Sequence, residues 1–210
     1  MKDKPLLFKA PMVRATLDEC KFQTRRVMAV QPILFTGLKY IFPDDSPKAW
    51  LECHDVLSLC PYGPIGRKLW VRETWGLHDT EPKDGPKNAT IYYRATDGDR
   101  HDLRYQKWRP SIFMPRWASR ITLEVIGIRI ERLNDISDAD AIAEGIRPLP
   151  LQSADDPSAW YEVEPGVCQS RSPRGSYAAL WERINGKGSW ALNPWAWVIL
   201  YRRLMQHTSK

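Results

Sequence analysis

The sequence predicts an α+β protein in which a small β-barrel carries short helices at its rim and long loop insertions. Several segments alternate apolar and polar residues as half-buried strands do, whereas only a few short stretches have helical periodicity. No strand-helix-strand spacing repeats along the chain, which argues against a doubly wound sheet. The 210 residues suit one domain, placed over residues 1–210, with insertions expected at about 30–66 and 147–175.

Three segments are predicted to be helical. Pro11 suits the first turn of a helix, and the apolar spacing after it predicts a helix over about residues 11–20. Ser137 precedes an acidic first turn and Gly145 follows as a left-handed C-cap, so a short helix is expected between them. A third helix is predicted over residues 176–184.

The strand predictions follow from alternation and from β-branched and aromatic residues. An extended segment at 24–27 comes first. The strands that follow are predicted over residues 68–75, 90–95, 119–133 and 195–201.

Composition favours a nucleobase or nucleic-acid ligand. The formal net charge is +6, and among the 31 basic residues arginine outnumbers lysine. The planar guanidinium group matches phosphate and base edges. The 10 tryptophans are an unusually large number, and tryptophan both fills cores and stacks on bases.

Other classes of protein are disfavoured. No apolar run approaches the roughly 18 residues of a membrane helix, and residues 1–5 are charged, so no membrane partner and a cytoplasmic location are expected. The four cysteines are expected to be reduced thiols. Cys53, His54 and Cys60 do not have the spacing of a tetrahedral site, so no metal is predicted.

Lys21 and Thr24 form the most informative pair of residues for chemistry. A lysine amine can act as a base towards a hydroxyl group if burial or neighbouring cations lower its pKa, and Arg25 and Arg26 follow directly. The same spacing also fits a solvated lysine beside a structural threonine. The residues alone leave both interpretations open.

A basic stretch with interleaved aromatic residues lies between positions 100 and 120. Such mixtures are typical of surfaces that bind single-stranded RNA, although a solvated loop over core aromatics would have the same composition. The residues assigned to RNA binding are Arg104, Lys107, Trp108, Arg109 and Arg116.

Several motifs together resemble those of ASCH-domain proteins. Lys21 and Arg26 match the family's Gly-x-Lys-x-x-x-x-Arg signature, with Glu19 where glycine is usual. The wider resemblance is to the larger ASCH proteins carried by bacterial prophages and covers most of the chain, through residues 11–15, 23–26, 69–75, 108–112, 114–122 and 193–195.

The resemblance implies a PUA-like barrel and an activity. Smaller ASCH proteins include amidohydrolases that remove the acetyl group from N4-acetylcytidine with a lysine, a threonine three residues later and a distant glutamate. Lys21 and Thr24 match the first two, and Glu144 has the place of the third. The implied protein is a monomeric enzyme without a cofactor in the cytoplasm of the bacterial host.

Substrate would be bound by one face of the strand predicted over residues 68–75, if that face lines the pocket. An indole could stack on the pyrimidine while a carboxylate accepts from its N–H groups, although the tryptophans could equally be core residues. The alternative function is an RNA-binding or RNA-modulating module, or a ribonuclease, without amidase activity. The residues assigned to substrate binding are Arg26, Trp70, Arg72, Glu73 and Trp75.

Overall fold

A computed structural model describes residues 2–36, 39–41, 50–77, 90–100, 102, 107–149 and 160–205. These residues form one five-stranded sheet, three smaller sheets and several short helices, which confirms the α+β class. In chain order the elements are β1 Lys4–Leu7, α1 Ala10–Leu17, β2 Gln23–Val27, β3 Leu34–Phe35, β4 Lys39–Ile41, β5 Trp50–Glu52, α2 Cys53–Ser58, β6 Lys68–Arg72, β7 Trp75–Leu77, β8 Ile91–Tyr93, α3 Arg94–Asp97, β9 Thr122–Arg132, α4 Asp138–Ala143, β10 Arg147–Pro148, β11 Tyr161–Glu162, α5 Pro173–Asn185 and β12 Trp195–Leu204.

The chain divides into two compact units, each made of separate stretches of sequence. Unit 1 contains Met1–Glu19, Lys68–Glu124 and Arg202–Lys210. Unit 2 contains Cys20–Arg67 and Val125–Tyr201. Strands β9 and β12 each begin in one unit and end in the other.

The five-stranded sheet has the linear order β1-β6-β9-β12-β2. In unit 1, β1 runs parallel to β6 and β6 runs antiparallel to β9. In unit 2, β12 pairs antiparallel with β2, with Thr24 opposite Ile199. These ladders fix β2 and the start of β6, and therefore also the face of the sheet to which each side chain of these strands belongs.

The core of unit 2 lies between α4 and α5. Ser137 accepts a hydrogen bond from the Asp140 backbone N–H at 3.1 Å, and Gly145 has a φ of 103°, so both predicted caps of α4 are confirmed. The buried cluster beneath these helices consists of Leu133, Ile136, Ala141, Ile146, Val163, Tyr177, Leu180 and Trp181. This packing fixes the C-terminal end of α4, where Glu144 lies.

Several expectations about local structure are wrong. The strand predicted over residues 68–75 is broken between β6 and β7, and the strand predicted over residues 90–95 ends where helix α3 begins. The insertion expected at residues 147–175 contains β10 and β11.

Helix α5 begins at Pro173, because Ser172 caps it by accepting from the Gly175 N–H at 3.1 Å; Ser176 therefore lies inside the first turn. Residues 30–66, expected to be loops, contain the three-stranded sheet β3-β4-β5 and helix α2. Strands of two or three residues are too short to show alternation in sequence.

Candidate active site

The segment that leads into β2 pairs with the end of α4. Lys21 and Glu144 form an isolated antiparallel bridge, and the Phe22 N–H donates to the Ala143 carbonyl at 2.8 Å. Lys21 and Glu144 therefore meet in space, although 123 residues separate them.

The two side chains form a buried ion pair. Lys21 Nζ lies 2.6 Å from Glu144 Oε2 and donates a second hydrogen bond to the Glu144 carbonyl oxygen at 2.9 Å. The exposed fractions of the side chains are 1% for Lys21 and 2% for Glu144. An ammonium group so far from water is held only by its partners, which makes its protonation sensitive to their charge.

Opposing effects act on the pKa of Lys21. Burial lowers this pKa, the negative charge and hydrogen bond of Glu144 raise it, and the positive charges of Arg26 and Arg25 lower it. The net pKa is below the ordinary value for lysine. The structure thus supplies both conditions that an amine base needs: burial and cationic neighbours.

Arg25, which the sequence indicated only as a cation beside Lys21, also belongs to this cluster of carboxylates. Its side chain is 0% exposed, and Nη1 donates to Glu144 Oε1 at 3.3 Å. Its Nη2 donates to Glu131 Oε2 at 2.9 Å and to Asp140 Oδ2 at 3.1 Å. Alternation along β2 places Gln23 and Arg25 on one face, but only the fold brings three carboxylates to that face.

A second arginine completes the charge balance around Arg25. Arg129, on β9, donates to Asp140 Oδ2 at 2.7 Å and to Glu131. Partial burial raises the pKa of Asp140, but the hydrogen bond and charge of Arg129 and the charge of Arg25 lower it more, so the net pKa is below the ordinary value. Asp140 therefore stays charged and anchors both arginines.

Thr24 lies between the two β2 residues that contact Asp140. Gln23 donates to the Asp140 carbonyl at 2.9 Å, and Arg25 reaches the Asp140 carboxylate, so the Thr24 side chain leaves the opposite face of β2. Thr24 is 0% exposed, and its Oγ1 has no hydrogen-bond partner. Lys21 and Thr24 are thus both buried, but their polar atoms are not hydrogen bonded to each other in this structure.

Arg26 and Tyr177 contribute charge and bulk at the same cluster. Arg26, which follows on β2 opposite Trp197, is half-buried and lowers the pKa of Lys21 by its positive charge. Tyr177, on α5, is buried; burial and the charge of Glu144 raise the pKa of its phenol well above the ordinary value. The Tyr177 phenol therefore stays protonated and adds no charge to the cluster.

The remaining residues assigned to substrate binding belong to unit 1. Glu73 lies in the break between β6 and β7 and is 2% exposed. Both of its carboxylate oxygens accept from Arg120, from Nε and Nη2 at 2.9 Å each. Arg120 in turn lies 3.9 Å from the ring centroid of Tyr93. Burial raises the pKa of Glu73 above its ordinary value.

The two assigned tryptophans are buried in unit 1 beneath arginines. Trp70 is 6% exposed, with the Arg72 guanidinium 4.7 Å from its ring centroid. Trp75 is 2% exposed and belongs to a core cluster with Met114 and Ala118. These positions match the alternative in which the tryptophans are core residues.

The residues assigned to RNA binding also lie in unit 1. Lys107, Arg109 and Arg116 are exposed and Trp108 is half-buried, whereas Arg104 lies outside the described residues. Two aromatic side chains that were not assigned, Phe113 and Trp117, are 68% and 46% exposed. Their exposure could not be read from the sequence, because interleaved aromatic residues fit a binding surface and a core equally well.

The described residues contain no group of three or more histidine, cysteine or acidic side chains placed to hold a metal ion. None of the helices within the described ranges has the length and apolar character that crossing a membrane requires. Comparison of the chain with protein-family models, with curated proteins and with solved structures gave no match.

Proposed function

We propose that this protein is an amidohydrolase that removes acyl groups from N4-acylated cytosine nucleosides or bases without a metal ion. The observation that carries the proposal is the buried Lys21 amine, which has a lowered pKa and a glutamate partner at 2.6 Å. Three residues later, a second buried group, the Thr24 hydroxyl, has no hydrogen-bond partner. A buried hydroxyl without a partner calls for an explanation. Because the Ser176 and Ser189 hydroxyls also have none, Thr24 supports the proposal through its place three residues after the buried amine.

The proposal includes the finer fold assignment. The mixed order of the five-stranded sheet and the short helices next to it are compatible with a PUA-like barrel of the ASCH type. In such a fold the Lys21 segment and the end of α4 would form one wall of the substrate site.

In the first half of the reaction, neutral Lys21 takes the proton of the Thr24 hydroxyl while Thr24 Oγ1 bonds to the acyl carbonyl carbon. In this structure the Lys21 amine is held by Glu144, and Thr24 leaves the face of β2 opposite Arg25, so the step requires the two side chains to come together when substrate binds. The tetrahedral intermediate then expels the cytosine amine, which receives the proton from Lys21. The products of this half are cytidine and an acyl ester on Thr24.

In the second half, a water molecule attacks the ester carbonyl and gives its proton to Lys21. Collapse of this intermediate breaks the bond to Thr24, whose oxygen recovers a proton, and releases the carboxylic acid. Glu144 keeps the charged form of Lys21 stable between proton transfers. Arg26, two residues after Thr24 on β2 and so on the same face of the strand, is the cation that we propose stabilises the developing oxyanion.

The test is to incubate the purified protein with N4-acetylcytidine and to follow cytidine and acetate by chromatography. We expect equal amounts of both products, with loss of activity in Lys21→Ala. A parallel reaction with N6-acetyladenosine tests whether the pyrimidine is recognised. Absence of cytidine release at any pH where the protein is folded would overturn the proposal.

A second candidate function is binding of single-stranded nucleic acid by unit 1. The stretch from Lys107 to Leu123 has no acidic residue, and Phe113 and Trp117 expose their rings there. Arg109 lies 5.0 Å from the ring centroid of Trp75. Guanidinium groups fixed on rings beside exposed aromatics suit phosphates and stacked bases.

This candidate is tested by titrating a labelled single-stranded RNA into the wild type, Phe113→Ala and Arg109→Gln. Neutralising two or three phosphates should weaken binding about tenfold between about 50 mM and about 200 mM salt. Arg202→Gln is the matched control, because Arg202 pairs with Glu124 at 2.7 Å. Binding that ignores salt, or that is equal in all variants, would contradict it; cleavage of the RNA would favour the ribonuclease alternative.

A further inference from the structure

A lysine that acts as a base beside a carboxylate faces a difficulty. When the Lys21 ammonium loses its proton, the Glu144 carboxylate loses the cation at 2.6 Å and would be left as a buried charge. A buried charge without a partner costs several kcal/mol. An ordinary buried lysine–glutamate pair would therefore keep the proton on the lysine.

Arg25 removes this difficulty through the other oxygen of the same carboxylate. Glu144 Oε2 accepts from Lys21, whereas Oε1 lies 3.3 Å from Arg25 Nη1. The guanidinium group stays protonated at every pH a protein experiences. Glu144 thus keeps a cationic partner whether or not Lys21 carries its proton.

We infer that Arg25 is a positioning residue that holds the charge of Glu144 so that Lys21 can release and regain a proton. The inference rests on the proposed function, because that function is the reason for Lys21 to exchange a proton. The experiment below measures the pKa of Lys21 and does not require activity. Arg25 is fixed in place by Asp140 and Glu131, at 3.1 and 2.9 Å, so it does not follow Lys21 when the lysine moves.

The charged groups of the network around Glu144 come from three parts of the fold. The chain at β2 supplies Lys21, Arg25 and Arg26, strand β9 supplies Arg129 and Glu131, and α4 supplies Asp140. The residue nearby on α5, Tyr177, is neutral. Arg129 binds Asp140 and Glu131 in the same network. This makes Arg129 a matched control for Arg25.

The experiment titrates the Lys21 side chain directly by NMR of ¹³C-labelled lysine, with Lys21→Arg identifying its signal. In Arg25→Gln, we expect the pKa of Lys21 to rise by about one pH unit or more, because proton release would now leave Glu144 unpaired. Arg25→Lys should give a smaller rise, since one ammonium cannot reach Glu144, Asp140 and Glu131 together. Arg129→Gln should leave the pKa of Lys21 nearly unchanged.

An unchanged Lys21 pKa in folded Arg25→Gln would overturn the inference, and so would an equal rise in Arg129→Gln. If Arg25→Gln does not fold, Arg25→Lys decides: a rise supports the inference, and no rise contradicts it. The Lys21 pKa could rise most in Arg25→Gln, less in Arg25→Lys and hardly at all in Arg129→Gln while the wild type does not hydrolyse N4-acetylcytidine. In that case the role of Arg25 stands and the proposed function fails.

Discussion

Each compact unit buries a glutamate against a cation, and the two pairs differ in what the cation can do. In unit 1, Glu73 gives both oxygens to Arg120, a group that cannot lose its proton. In unit 2, Glu144 divides its oxygens between Lys21 and Arg25. Only the second pair contains a cation that can become neutral while the carboxylate remains paired.

Under the proposed function, this difference separates an ion pair that only stabilises the fold from one that takes part in the reaction. The Arg120 guanidinium group donates to both carboxylate oxygens of Glu73 and stacks on the Tyr93 ring. These contacts fix the break between β6 and β7. Lys21 shares its glutamate with a second cation, Arg25, and its pKa is below the ordinary value. Burial alone does not mark a reactive site; a partner that can exchange a proton does.

The largest effect on stability is expected from breaking the unit 1 pair. Arg120→Leu leaves the Glu73 carboxylate buried without a cation, which should lower the free energy of unfolding by about 3 kcal/mol. Arg202→Leu, which removes one partner of the exposed Glu124 pair, should cost less than about 1 kcal/mol. Urea unfolding of both variants measures the difference, and equal losses would contradict a structural role specific to Arg120.

The next effect concerns Thr24 as the nucleophile. Thr24→Ala should reduce the rate of cytidine release by at least about a hundredfold, whereas Thr24→Ser keeps a hydroxyl group and should retain part of the rate. Thr122→Ala removes a buried hydroxyl in unit 1 and serves as the control. A folded Thr24→Ala variant with the wild-type rate would show that the hydroxyl does not attack.

The pH dependence of the rate tests the pair in unit 2, because Lys21 can lose its proton whereas Arg120 in unit 1 cannot. Lys21 must be neutral to accept a proton, and burial lowers its pKa below the ordinary value, so activity should rise with pH until that pKa is reached. The rise should be about tenfold per pH unit below the pKa. Rate profiles in wild type measure it; a rate that falls with pH over this range would rule out Lys21 as the base.

The smallest expected effect is that of a chelator. Because neither pair includes a metal ligand set among the described residues, EDTA should leave the rate of cytidine release unchanged. Rates before and after dialysis against EDTA, with metal analysis of the protein, test this. Loss of activity that zinc restores would contradict a base mechanism through Lys21.

The sequence predicted the parts of the site that depend on local signals. The cap residues Ser137 and Gly145 fix α4, and therefore the position of Glu144, because a hydroxyl N-cap and a glycine with positive φ act within a few residues. The resemblance to ASCH proteins then linked Glu144 to Lys21. The caps are local signals, whereas the resemblance draws on motifs along most of the chain.

The parts that were missed depend on long-range contacts. Arg25 meets Glu131, Asp140 and Glu144 only after β2 is brought beside α4 and β9, more than 100 residues away in sequence. The fixing of Glu73 by Arg120 likewise joins residues 47 positions apart. A strand pattern shows which side chains share a face but not which partners that face will meet.

The most direct test of the central claim compares one conservative exchange in each pair. Lys21→Arg and Arg120→Lys both keep a positive charge beside the buried glutamate, but only the first removes a cation that can lose its proton. With N4-acetylcytidine, and with folding of each variant verified by its unfolding midpoint, Lys21→Arg should lose at least about a hundredfold in rate while Arg120→Lys stays close to wild type. A Lys21→Arg variant that hydrolyses the substrate at the wild-type rate would contradict the claim that Lys21 is the base.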